Sequence, residues 1–203
     1  MYSCSRKEDA SIVVIEKKGE FSRLEQDAAA NGYRYAGDNA AVFGYFSDLL
    51  PEFERRNKKR HGLIKSGLSE EEIVSEMMKE PPVFVFIDDM SDFMQMAYKP
   101  EAGVGSISGF LENIFEKGKS HAIYFIAGIK AEDEPGLTVY KAYNHFVSYK
   151  RGMHTGGNLT GQKIFQFGNV PFAEQSKVQK KGIVFIADDE EEGIGHKAVI
   201  PVL

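Results

Sequence analysis

The chain has 203 residues, of which 42% are hydrophobic, and a formal net charge of −5. That length can bury a core, so a single domain over residues 1–203 is expected, and the acidic balance gives no sign of a basic surface for nucleic acid. One cysteine, Cys4, excludes a disulfide framework; no apolar run approaches the ~20 residues that span a bilayer, and MYSCSRKEDA lacks the pattern of a signal peptide.

Taken in order, SIVVIE (11–16) is a β-branched run bounded by charge and reads as a buried strand. EFSRLEQDAAANG follows with Phe21, Leu24 and Ala28 at helical spacing and Gly32 as the stop. YRYA (33–36) suggests a short strand. From a cap at Asp38 or Asn39, an amphipathic helix carries Val42, Phe46, Leu49 and Phe53 to the basic run at 55–60, with Pro51 as a point of kinking or splitting. Ser69 and Glu72 have capping-box spacing and open a helix that ends before Pro81. VFVFID (83–88) is the next strand, residues 106–117 suit a helix, and HAIYFIAGI (121–129) is a third buried strand. HFVSY (145–149), KIFQF (163–167), GIVFIA (182–187) and KAVIPV (197–202) all look strand-like, and the acidic run 188–192 reads as a solvated turn. Continuous apolar strands alternating with helices predict an α/β fold whose mainly parallel sheet is covered on both faces, with a β-rich C-terminal part.

The run VFVFIDDMSDF ends in Asp88 and Asp89, with Asp92 three residues on. Ligands of open parallel sheets sit beyond the carboxyl ends of the strands, where an acid pair can hold Mg²⁺ and polarise a water. Turn-forming aspartates meeting solvent account for these residues equally well.

The longer context resembles the FtsK/SpoIIIE family of hexameric motor ATPases. IDDMSDFMQM is similar to that family's acid strand, FLENIFEKGKSHAIYFIAGI to its following helix and strand, and SIVVIEKKGEFSRLEQDAAANGYRY to the strand after its phosphate-binding helix. The resemblance covers residues 10–130; IEKKGEFSRL, the helical insert and GIVFIADDEEEGIGHKAVIPVL look most like the C-terminal ATPase modules of EssC/EccC-type proteins. It implies a three-layer, RecA-like P-loop NTPase sheet, ATP and Mg²⁺ as cofactors of the intact module, and a place on the cytoplasmic face of the membrane in a type VII secretion motor. The implied partners are neighbouring ATPase modules and a WXG-type exported protein, docked through apolar anchors, with no membrane insertion of this segment.

On this resemblance Asp88 is the acid that reaches Mg²⁺ through water, Asp89 the water-orienting acid, and Lys119 matches an arginine of the preceding helix. The departures matter as much. There is no G-x-x-x-x-G-K-[ST] in the chain; GGNLTGQK (156–163) places Gln162 where lysine is required and reads as a loop. The expectation is a chain that begins just after the P-loop, with the first strand and phosphate cradle absent and Met1–Ser5 as the end of that helix. Asp89 stands for glutamate, Lys119 loses bidentate geometry, and Ile129 and Lys130 replace a Thr-Gln pair. These positions imply a degenerate module that hydrolyses no ATP alone, and the open sheet edge implies self-association.

The five histidines are scattered without metal-ligand spacing, and Cys4 has no neighbouring histidine. RRNKKR (55–60) reads as a solvated helix end that complements the dipole, and the aromatics Tyr140, Tyr143, Phe146 and Tyr149 as packing. Two other functions stay open: a DNA translocase module of the same family, and a non-motor Rossmann-like domain that binds Mg²⁺ through Asp88 and Asp89.

Overall fold

Strand β1 (Ser11–Ile15) lies between β2 (Arg34–Ala36) and β3 (Val83–Ile87), and β4 (Ile123–Ala127) completes a four-stranded, all-parallel sheet in the order β2-β1-β3-β4. The computed structural model describes residues 10–187 and 193–200, and the chain divides into two compact units, residues 1–129 and 130–203. In the first unit the register Ser11↔Val83 and Val83↔Ile123 sets the three long strands level. Successive side chains alternate between faces, so a parallel strand with helices on both sides must be apolar throughout. Ile12, Val13, Val14 and Ile15 are accordingly all buried.

Helix α1 (Ser22–Asn31) covers one face, with Leu24 and Ala28 against Ile12, Val14 and Tyr33, and Gly32 closes it in the left-handed conformation. On that face Phe84 and Tyr124, paired across β3 and β4, stack at 5.4 Å. The opposite face is covered by α2 (Asn39–Lys65), α4 (Met90–Tyr98) and α5 (Ser108–Lys117). An aromatic series joins them: Phe46 meets Phe93 and Phe110, Phe93 meets Phe115, and Phe115 meets Phe125 of β4 edge-on at 4.6 Å. Phe46, Phe93 and Phe115 are buried, and each such side chain contributes roughly 1.5–3 kcal/mol. Helix α2 starts where Asp38 accepts from the Ala41 amide, and it runs on through Pro51 without dividing. Helix α3 (Glu70–Met77) carries the predicted capping box, with Ser69 and Glu72 each bonded to the other's backbone amide.

The basic run at 55–60 is an ion-pair network rather than a merely solvated helix end. Arg56 is 2% exposed, and its guanidinium donates to the carbonyls of His121, Ala122 and Pro81 and to Glu52 at 2.7–3.2 Å. It thereby ties α2 to the residues that enter β3 and β4. Arg55 and Lys59 hold Glu80, and Arg60 holds Glu70. His121, in the 3₁₀ turn Gly118–His121, donates from Nδ1 to the Lys117 carbonyl, while its buried Nε2 has no hydrogen-bond partner.

In the second unit, α6 (Glu134–Leu137) and α7 (Lys141–Val147) lead into a three-stranded antiparallel sheet in the order β5-β6-β7, formed by Gly152–Thr155, Ile183–Ala187 and Gly195–Val199. Three of the four strand-like segments need correction. HFVSY is not a strand: its first three residues end α7, because the buried contacts lie upstream at Ala142 and Tyr143 on a helical turn. KIFQF is not a strand either. The Gln162 side chain donates to the carbonyls of Leu159 and Phe165 and accepts from the Phe165 amide, which replaces ladder bonding. Its aromatics still enter a core of Leu159, Phe167, Val170, Phe185 and Ala187. The last strand begins earlier than expected, at Gly195, where the Asn169 side chain bonds both the amide and the carbonyl of Gly195. The acidic run 188–192 and Cys4 lie outside the described residues.

Two outcomes follow for the amino end of the first sheet. Arg56→Ala removes a buried cation from three carbonyls and Glu52 and is expected to destabilise the chain by about 3–5 kcal/mol in urea denaturation, against a near-neutral Lys58→Ala. Hydrogen bonds and charge from Arg55 and Lys59 hold the Glu80 carboxyl down at about 2 against an ordinary 4.5. The folded value lies below the unfolded one, so this stabilisation is present above 4.5 and lost as pH falls through about 2. Glu80→Gln should therefore flatten the acid limb of a plot of urea midpoint against pH.

Candidate functional site

The parallel ladder runs one step past the strands and so brings their carboxyl ends together. The Glu16 amide donates to Ala36, the Asp88 amide to Ile15 and the Gly128 amide to Ile87, at 2.9–3.2 Å. Glu16, Asp88 and Gly128 thus stand side by side beyond β1, β3 and β4. A Cβ on Gly128 would lie 2.2 Å from the Asp88 carbonyl oxygen, so only glycine permits this approach. The chain then turns into α4, whose first amide, Met90, donates to the Gly128 carbonyl at 3.0 Å.

Asp89 is the N-cap of α4. Its Oδ1 accepts from the amides of Ser91 at 2.9 Å and Asp92 at 3.3 Å, satisfying helix donors that have no partner within the helix. Its Oδ2 accepts from Lys18 Nζ at 2.8 Å, and the same ammonium lies 2.9 Å from Asp92 Oδ2. Lys18 follows β1 and precedes Gly19, whose φ of +68° is the left-handed turn conformation that glycine adopts without strain. Glu16 is 1% exposed; its carboxylate takes the Tyr35 hydroxyl at 2.6 Å and the Glu20 amide at 3.3 Å.

The electrostatics separate the two neighbouring acids. Burial raises the Asp88 carboxyl above its ordinary range, and the negative charges of Glu16, Glu20 and Asp89 push it the same way. Burial also acts to raise Asp89, but the hydrogen bonds from Lys18 and from the Asp92 and Ser91 amides outweigh it and hold that carboxyl low. Bonds to Asp89 and Asp92 raise Lys18, keeping it charged. Glu16 sits below its usual range because the bonds from Tyr35 and nearby amides outweigh its burial.

This donor set does not fit a divalent cation. Mg²⁺ takes six oxygens at close range in near-octahedral geometry. Both oxygens of Asp89 already accept, Asp92 Oδ2 shares the same ammonium, and the Glu16 carboxylate serves Tyr35 and a backbone amide. Among the described residues no group of three or more His, Cys, Asp or Glu side chains is placed to hold a metal ion.

Of the residues singled out in the sequence, the structure brings Asp88, Asp89 and Asp92 to one strand end and leaves Lys119 apart. Lys119 lies in the 3₁₀ turn before β4, at the amino end of a sheet whose acids sit at the carboxyl end. A five-residue strand separates the two ends, about 16 Å at ~3.3 Å per residue. Ile129 follows Gly128 at the acid end, with a side chain that offers no hydrogen-bond donor. GGNLTGQK forms a turn and the 3₁₀ segment Leu159–Gly161 and opens no α-helix. Lys18, Glu16 and Tyr35 are the residues that sequence reasoning misses. The signal is there in EKKGE, a basic pair between acids after a strand, but nothing in it tells Lys18 from Lys17.

No family model and no curated protein matches this sequence. Solved structures do match. The chain is similar to the cytoplasmic domain of EssC at a TM-score of 0.67 and 15% identity, over 94% of this chain and 33% of that one. It is also similar to Thermomonospora curvata EccC (ATPases 2 and 3) in complex with a signal sequence peptide, at 0.62 and 15%, over 95% and 31% respectively. The cytoplasmic domain of the type VII secretion ATPase EccC from the same organism matches at 0.61 and 16%, over 95% of this chain and 20% of that one. This chain therefore spans a third or less of the length of these structures. At such identities the likeness speaks to architecture, and its conclusion is that this α/β chain, with one parallel and one antiparallel sheet, has a fold found within the cytoplasmic domains of EssC and EccC.

Proposed function

We propose that this chain is a module of a type VII secretion motor that takes part in ring assembly and in recognising the exported protein, and that it does not hydrolyse ATP by itself. The observation that carries this reading is the match to EssC and EccC over at least 94% of the chain, across both compact units. One of those neighbours was solved with a signal sequence peptide, which supports the peptide-recognition role proposed for this chain. The acid end supports the second half of the proposal. Asp89 caps a helix and pairs with Lys18, Lys119 lies at the opposite end of the sheet, and the sequence has no G-x-x-x-x-G-K-[ST] loop. The module would work on the cytoplasmic face of the membrane beside other ATPase modules; among the described residues no helix is long and apolar enough to cross a membrane.

A translocase of DNA shares the fold family, but the net charge of −5 argues against a phosphate-tracking surface. The two readings separate in one titration. A fluorescent peptide carrying the C-terminal signal of a WXG-type helical-hairpin protein should bind the chain saturably, with an affinity little changed by salt because apolar anchors hold it. Duplex DNA should not bind. Binding of DNA that weakens steeply with salt, with no binding of the peptide, would establish the translocase reading instead. In the same preparation, ATP with Mg²⁺ should yield no phosphate above background; turnover abolished by Asp89→Ala would overturn the non-hydrolysing assignment.

A further inference from the structure

The acid strand end and the loop after β1 meet in a way that neither the fold nor a secretion role requires. We propose that Lys18 is a built-in cation for the acid end, occupying the carboxylate oxygens a divalent metal would need and so excluding one. Its ammonium lies 2.8 Å from Asp89 Oδ2 and 2.9 Å from Asp92 Oδ2, bridging two carboxylates of different backbone origin: the N-cap of α4 and its first turn. The remaining oxygen of Asp89 faces the Ser91 and Asp92 amides, so the carboxylate cannot rotate toward a metal without uncapping the helix. Next to them, Glu16 is held by Tyr35 and the Glu20 amide. What remains is Asp88 and the second oxygen of Asp92, whose carboxylate the same ammonium already holds, and so partial a donor set gives a hydrated Mg²⁺ little beyond what water already supplies.

An ammonium and a divalent ion want the same oxygens, but they differ in how they are delivered. Lys18 is tethered two residues past the Glu16 amide, which is itself fixed in the sheet ladder, so it competes at the effective concentration of an intramolecular group. A metal must both displace that ammonium and meet a carboxylate already bonded on its other side. The acid end is therefore held in one electrostatic state whatever the Mg²⁺ concentration, as suits a constant structural partner in a ring better than a site that cycles with each turnover.

Mn²⁺, added alone to the full chain, tests this by electron paramagnetic resonance and calorimetry. The wild type should show no saturable site below about 1 mM, the weak limit for oxygen-donor sites. Lys18→Met should gain a site at least about tenfold tighter, lost again in Lys18→Met combined with Asp89→Asn, and Lys18→Arg should exclude Mn²⁺ as the wild type does. Saturable wild-type binding as tight as that of Lys18→Met, or no binding by a folded Lys18→Met, would overturn the proposal. If Lys18→Met does not fold, the wild type decides the matter. Backbone resonances of residues 88–92 that stay sharp on adding Mn²⁺ support the internal cation, and selective broadening of them refutes it. The readout involves no exported peptide, so its failure is distinct from failure of the secretion reading.

Discussion

A parallel strand covered by helices on both faces has nowhere along its length for a charge. In the first unit β1 and β3 are such strands, and all of the sheet's chemistry is displaced to its two ends. The amino end is closed by one guanidinium: Arg56, 2% exposed, donates to three carbonyls of the chain segments that enter β3 and β4. A buried cation is tolerated there because each nitrogen of its planar fork meets an acceptor, with Glu52 supplying the opposite charge. The carboxyl end is closed by the complementary device, an ammonium set among carboxylates.

The same constraint explains why the acid pair does two different jobs. Asp88 continues the ladder, so its backbone is fixed by β1, and burial together with the charges of Glu16, Glu20 and Asp89 favours the neutral form of its side chain. Asp89 is one residue further on, where the backbone leaves the sheet and starts a helix, and there its charge is wanted by two amides and a lysine. Adjacent carboxyls are driven apart in acidity by one step of chain geometry. Close packing at Gly128 fixes that step, since any side chain there would collide with the Asp88 carbonyl.

The second unit obeys looser rules. Its sheet is antiparallel and short, and its core is completed by an irregular segment whose aromatics pack without a ladder. Side-chain amides do the bonding that strands would otherwise do: Gln162 for the KIFQF segment and Asn169 for the start of β7. This is why apolar runs of the same appearance become a strand at GIVFIA and no strand at KIFQF.

Local pattern was enough for the parallel sheet, the capping box at Ser69 and Glu72, the long helix from Asp38 and the placing of an acid pair at a strand end, because each depends on periodicity or on side chains that reach backbone only a few residues away. The tertiary structure alone decided the rest. Which lysine of EKKGE meets Asp89 depends on the turn at Gly19 and on the register of β1 with β3, and Lys18 and Asp89 lie 71 residues apart in sequence. That Arg56 is buried while its neighbours in the basic run reach solvent depends on where the chain enters β3 and β4. Whether Lys119 could serve the acids depends on strand direction, and the parallel pairing of β3 with β4 sends it to the other end. Sequence fixes what each residue can do within a turn or two; only the assembled sheet decides which charges meet, because the partners come from segments whose proximity no local rule encodes.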